Sequence, residues 1–255
     1  MTSHPPGECC FSGSVHEGTP VGEMTTLGQV SAYVSRPPND PPKKALIYFA
    51  DGYGIPFINN QLLADAFASH GYLVIMPDLL DCKVYPPPGP ARPSGLSVDK
   101  WLAQHPVSRV DPVVQATIAA LQAPPYSMPA SRTAALGYCF GAKYLIRHLR
   151  SENMAAGYVA HPSFVTAEEL RGIRCPLSIA AAEQDDIFTD EKRKETEGIL
   201  REVGAERGLK WTICMYSGTR HSFAVRADQN DERASWAAEE AMGQALRWVK
   251  QFIAE

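Results

Sequence analysis

What the sequence lacks removes several functions before any motif is considered. No apolar run approaches the roughly eighteen residues that a membrane helix needs, so no membrane partner is expected. Met1–Gly13 has neither a basic start nor an apolar stretch, which argues against a secretory leader. Positive charge is in deficit: 24 Lys+Arg face 28 Asp+Glu, a formal net charge of −4 that suits neither nucleic acid nor an anionic surface. Cysteine is scarce, six in 255 residues with no C-x-x-C pair, which speaks against a disulfide scaffold and a structural zinc site. His161-Pro162 has no second ligand at helical spacing, and Gly52-Tyr53-Gly54 lacks the third glycine of a dinucleotide loop. Neither a metal nor a cofactor is therefore expected. The default that remains is a cytoplasmic protein with reduced thiols.

What is present is an alternation of strand and helix. Hydrophobic residues, 45% of the chain, suffice for a sizeable core. Ala45–Phe49 and Tyr72–Met76 read as buried strands, and Thr133–Leu136, Tyr158–Ala160, Leu177–Ala181 and Trp211–Tyr216 as further strands. Gln61–His70, Val113–Leu121, Ala142–Leu149, Glu191–Val203 and Ala234–Phe252 read as helices between or after them. Gln29–Ser35 alternates apolar and polar residues, the pattern of a half-exposed edge strand. Parallel strands need crossover connections, so the fold class is α/β: a mostly parallel sheet with helices on both faces. One domain, residues 1–255, accounts for the whole pattern. Residues 1–22, with the Cys9-Cys10 pair, read as an irregular arm carrying free thiols. Residues 79–110 form a long connection containing Tyr85 and Trp101, which reads either as a lid or as a packed surface excursion.

Gly137-Tyr138-Cys139-Phe140-Gly141 lies between a strand and a helix and has the G-x-nucleophile-x-G form of a nucleophile elbow, with cysteine as nucleophile. The sharp turn strains the nucleophile's backbone, and side chains at the flanking positions would collide with their neighbours. The following helix aims its N-terminal N–H groups at the turn, favouring a thiolate and later an oxyanion. A buried core cysteine is the bland alternative, and the strand–turn–helix context weighs against it. An elbow nucleophile needs an acid and then a base further along the chain. Asp185 or Asp186 follows one strand and His221 the next, at the carboxyl edge where open α/β sheets bind ligands.

These residues, with Asp51-Gly52-Tyr53-Gly54 and Met76-Pro77-Asp78, resemble the dienelactone hydrolase family of the α/β-hydrolase superfamily from about Ala45 to the C-terminus. The Cys9–Gly22 segment is similar to that of fungal members. The resemblance implies the α/β-hydrolase fold and a Cys139–Asp185–His221 triad, with Asp185 fitting the family's loop better than Asp186. It also implies an oxyanion hole from the N–H groups of Gly52 and Phe140. Family members often carry a glutamate at position 51. Asp51 would either oppose ionisation of the resting Cys139 thiol or simply hold its turn. The segment after Asp78, Leu79-Leu80-Asp81-Cys82-Lys83, holds no arginine, and Arg226 lies one position later than the family's carboxylate-binding arginine, so the family's own substrate is not assured. Tyr53, Tyr85, Trp101, Tyr138, His161 and Phe164 are the remaining candidate substrate contacts, mostly aromatic.

The expected activity is hydrolysis of a lactone, enol ester or activated ester through a thioester. A biosynthetic enzyme of the same fold, opening or rearranging a polyketide-type lactone, is one alternative. A non-catalytic relative that only binds a small molecule is another. Nothing in the residues fixes the oligomeric state, and a homodimer is compatible with them.

Overall fold

The computed structural model describes residues 1–38, 41–87 and 93–254. Its elements run β1 (Glu23–Leu27), β2 (Val30–Ser35), β3 (Ala45–Phe49), α1 (Ile58–Ser69), β4 (Leu73–Pro77), α2 (Val98–Ala103), α3 (Val107–Gln122), β5 (Thr133–Tyr138), α4 (Phe140–His148), β6 (Gly157–Ala160), α5 (Ala167–Arg171), β7 (Leu177–Gln184), α6 (Asp190–Arg207), β8 (Trp211–Arg220), α7 (Phe223–Arg226) and α8 (Glu232–Phe252). They build one eight-stranded sheet in the order β1-β2-β4-β3-β5-β6-β7-β8. β2 is antiparallel to both β1 and β4, and every pairing from β4 to β8 is parallel. This is the α/β-hydrolase architecture expected from the sequence.

β3, β4, β5 and β6 are buried at every residue, because helices cover both faces and leave no side to water. α1 packs on β2 and β4, and α8 on β6, β7 and β8, with α7 touching both helices. The other layer has α3 against β1, β2 and β4, α4 against β3, β5 and β6, and α6 against β8. Local chemistry sets the helix ends. Thr166 and Glu169 form a reciprocal capping box on α5. Asp231 accepts from the N–H groups of Arg233 and Ala234 at the start of α8.

Three expectations change. β2 is an interior strand and not an edge, because β1 pairs with it through a two-residue turn at Gly28-Gln29. β1 gave no signal because only Leu27 in it is buried. α3 begins before Pro112: a proline removes only one helical bond, while Val110, Val114, Thr117, Ile118 and Leu121 keep one buried face across it. The 79–110 connection carries α2 and the start of α3, capped by Ser97, although its residues 88–92 lie outside those described.

Candidate active site

β3, β5, β7 and β8 end at the same edge of the sheet, and the register aligns Phe49 with Gly137 and Tyr138 with Ala160. Cys139 sits between β5 and α4 at φ 48°, ψ −110°, a conformation that costs a non-glycine residue of the order of 1–3 kcal/mol. The flanking glycines make that turn possible. A Cβ on Gly141 would lie 2.1 Å from the carbonyl oxygen of Phe49, and one on Gly137 2.9 Å from the Cα of Ala142. Phe140 opens α4, so its N–H is one of the four without an intrahelical acceptor.

The loop after β7 folds back on Asp185, whose Oδ1 accepts from the N–H groups of Ile187 at 2.8 Å and Phe188 at 3.0 Å. Both carboxylate oxygens lie 2.9 Å from His221 Nδ1, which follows β8. Burial alone would raise the Asp185 pKa, but His221 and the two backbone donors outweigh it and hold the carboxyl below its ordinary value. Burial likewise opposes charge on His221, yet Cys10 and Asp185 together lift its pKa well above the usual imidazole range. Asp186 is exposed, so the structure places Asp185 against the imidazole.

An additional thiol enters from the arm. Residues Glu8–Phe11 form a 3-10 turn that buries Cys10 and Phe11. Cys10 Sγ is 3.3 Å from His221 Nε2, and the Cys10, Cys139 and His221 ligand atoms all lie within 4.8 Å of one another. Burial, then the neighbouring Cys139, pushes the Cys10 thiol up. Cys139 Sγ itself rests 3.6 Å from Ser163 Oγ. Phe11 stacks on Tyr85 at 3.7 Å between ring centroids, meets Trp101 edge-on at 5.6 Å, and lies 5.6 Å from Tyr53. A Cβ on Gly52 would come within 2.6 Å of the Phe11 ring. Trp101 is held by donating Nε1–H to the Lys83 carbonyl, and Tyr85 by donating its N–H to that of Gly52. The three predicted aromatics thus surround one slot, and Phe11 fills it.

The other predicted contacts are placed differently. Arg226 is fully engaged by protein: its guanidinium bonds Asp51 and Ser222 and donates to the carbonyls of Cys10 at 2.7 Å and Ser12 at 2.8 Å. Asp51 accepts from Arg226, Asn60 and the Tyr53 N–H, which puts its charge in a buried ion pair and in its turn. A guard on the Cys139 thiol, the other expectation, does not fit a carboxylate already neutralised by a cation. Tyr138 belongs to the core, stacked on Tyr48 at 4.9 Å and edge-on to Tyr158. Phe164 lies under the Lys143 ammonium, 4.4 Å from its ring centroid. His161 is completely buried, its ring 5.0 Å from that of His221, and neither of its nitrogens has a partner among the described residues. Burial, reinforced by His221, drives its pKa well below the ordinary value, so His161 is neutral.

Cys10, Phe11 and Ser163 were missed in the sequence. Ser163 follows β6 at the same sheet edge, the rule that found Asp185 and His221. For Cys10 the signal was the Cys9-Cys10 pair, read as free thiols in an irregular arm, and Phe11 had only its apolar character. A surface hollow of about 700 Å³ lies elsewhere, lined by Lys43, Lys44, His70, Arg247 and Lys250 at the amino ends of β3 and β4. Cys139, 1% exposed, and His221, 5% exposed, are instead sealed beneath the arm. No helix among the described residues is long and apolar enough to cross a membrane.

The sequence profile of the dienelactone hydrolase family matches residues 30–253. Hydrolase pyvD of Aspergillus violaceofuscus is 40% identical over 253 residues, covering 99% of each chain. Hydrolase tropI of Talaromyces stipitatus is 37% identical over 263 residues, covering 100% of both. Among solved structures, a putative dienelactone hydrolase from Klebsiella pneumoniae superimposes with a TM-score of 0.74 at 17% identity, covering 91% of this chain and 99% of its own. That likeness concerns the fold.

Proposed function

Because the chain belongs to the dienelactone hydrolase family, we propose that this hydrolase opens a lactone, enol ester or aryl ester with Cys139 as its nucleophile. The observation that carries the reading is Cys139 on a strained elbow, within 4.8 Å of a histidine whose other nitrogen is held by a buried carboxylate. Substrate reaches the thiol by displacing the Cys10-Phe11 turn. His221, its Nδ1–H fixed by Asp185, takes the Cys139 proton at Nε2, and the thiolate adds to the carbonyl carbon. The N–H groups of Gly52 and Phe140 hold the oxyanion. The alkoxide or enolate leaves with the proton from His221. Water deprotonated by His221 then cleaves the thioester, releasing the acid and restoring the thiol. A thiolate is itself a good leaving group, which favours substrates whose own leaving group is comparably good.

The slot occupied by Phe11 supports a planar, unsaturated acyl or aryl group next to the reacting carbonyl, since Tyr85, Trp101 and Tyr53 already enclose a ring there. That shape also suits the second reading, a biosynthetic polyketide-type lactone that is opened or rearranged. Two measurements test the proposal. Mass spectrometry of the enzyme quenched during turnover of an aryl ester should find the acyl group on the Cys139 peptide. An acyl group on Cys10 instead would move the nucleophile to the arm. Product formed in heavy-oxygen water gains the label on hydrolysis and not on rearrangement.

A further inference from the structure

The three ligand atoms that close the site have the spacing of a metal centre, although the sequence offered no metal-ligand pattern. A tetrahedral Zn²⁺ holds thiolate sulfur at about 2.3 Å and imidazole nitrogen at about 2.0–2.1 Å, which puts neighbouring ligand atoms roughly 3.5–3.8 Å apart. Cys10 Sγ and His221 Nε2 are 3.3 Å apart, and Cys139 Sγ lies within 4.8 Å of both. We propose that Cys10, Cys139 and His221 form a binding site for Zn²⁺, and that its occupation reversibly shuts off the hydrolase.

Several features make this a built arrangement and not a chance approach of side chains. All three residues are buried, at 1%, 1% and 5% exposure. His221 Nδ1 lies 2.9 Å from both Asp185 oxygens, which orients the ring with Nε2 towards the Cys10 thiol. That carboxylate–histidine support is the usual outer shell of a zinc ligand. Arg226 holds the Cys10 carbonyl at 2.7 Å, so the arm thiol is positioned from the body of the protein. Two thiolates and an imidazole select a thiophilic ion such as Zn²⁺ over Mg²⁺ or Ca²⁺, and three protein ligands leave a fourth position for water. The balance is simple: Zn²⁺ replaces the protons held on the two thiols and on His221 Nε2, all of them leave to solvent, and nothing is oxidised. Inhibition rests on the function proposed above, because Cys139 and His221 are then tied up as ligands. The binding itself does not.

The experiment therefore reads binding and turnover separately, on the whole 255-residue chain reduced with a phosphine. Titration with Co²⁺ should give one ion per chain, with tetrahedral visible bands and a sulfur-to-cobalt charge-transfer band, both displaced by Zn²⁺. Cys10→Ala should weaken Zn²⁺ binding at least about 100-fold, the loss of one of three protein ligands, and halve the charge-transfer intensity. Cys82→Ala, which removes an exposed thiol paired with Asp78, should leave both unchanged. In the unaltered protein Zn²⁺ should protect the Cys10 and Cys139 peptides together from iodoacetamide, a readout that needs no variant to fold. Ester turnover should fall with Zn²⁺ and return with a chelator, with the inhibitory concentration rising about 100-fold in Cys10→Ala. Equal Zn²⁺ affinity in Cys10→Ala and the unaltered chain overturns the site, as does protection of Cys139 without Cys10. A normal cobalt spectrum with no ester turned over keeps the site and overturns the hydrolase reading.

Discussion

Replacing Phe11 by alanine removes the ring that closes the aromatic slot, and the consequence can be worked through. Phe11 is 3% exposed, stacked on Tyr85 and edge-on to Trp101. Deleting a buried phenylalanine side chain costs about 3–5 kcal/mol. If substrate enters by displacing the arm, that cost falls on the closed state and not on the enzyme–substrate complex. An apparent affinity is the intrinsic one divided by the open fraction, so every 1.4 kcal/mol taken from the closed state raises the open fraction about tenfold while that fraction is small. Taking the lower figure, about 3 kcal/mol, KM for an aryl ester should fall by about two decades in Phe11→Ala, with kcat little changed. Steady-state kinetics on one chromogenic aryl ester measures both. An unchanged or increased KM with the same kcat would refute the displacement argument and leave Phe11 as ordinary packing. A fall in kcat alone would mean that the arm stays in place and forms part of the working pocket.

Asp185→Asn should lower kcat/KM by several decades, roughly 10⁴-fold by analogy with other triads, while Asp186→Asn, altering an exposed carboxylate, should stay near the unaltered value. Because the folded Asp185 pKa is depressed, its stabilisation is present above the unfolded carboxylate value of about 4 and is lost as pH falls through the lower folded value. Because the His221 pKa is raised, its contribution is present below about 6.5 and is lost as pH rises through the higher folded value. The melting-temperature gap between Asp185→Asn and the unaltered chain should therefore close towards both extremes in a pH series. Gly141→Ala would put a Cβ 2.1–2.6 Å from backbone atoms of Phe49 and Ala50, and urea unfolding should show a loss of about 3 kcal/mol or no folded protein. Asp51→Asn leaves Arg226 buried without its carboxylate, and the same assay should register about 3–5 kcal/mol.

The elbow and the approach of Asp185 and His221 to one sheet edge were legible because each depends on local order. Gly137 and Gly141 are required by contacts within a strand–turn–helix, and Asp185 and His221 each follow a strand of the same parallel sheet. The arm was not legible because an irregular segment has no period. Cys10 meets His221 across 211 residues, and only the folded chain shows it. The same distance problem hid the role of Arg226, whose partner Asp51 lies 175 residues away and whose other donors hold the arm. Tyr138 was misread because a residue beside the nucleophile in sequence points the opposite way from a strand end, here into the stack with Tyr48. Tyr53, Tyr85 and Trp101 converge as expected, although what they converge on is Phe11.

The Arg226 clamp also sets an order of assembly on the ribosome. Cys10 and Phe11 emerge 216 residues before the guanidinium that holds the Cys10 carbonyl. At about 5–20 residues per second the arm waits roughly 10–40 s for its receptor, with the Asp185 loop and His221 also arriving late. Strands β3 to β6 can pair in that interval, but the pocket cannot be sealed until β8 and α7 are in place. The arm is thus made well before it can dock, and Cys10 and Cys139 stay uncovered until β8 and α7 have been made.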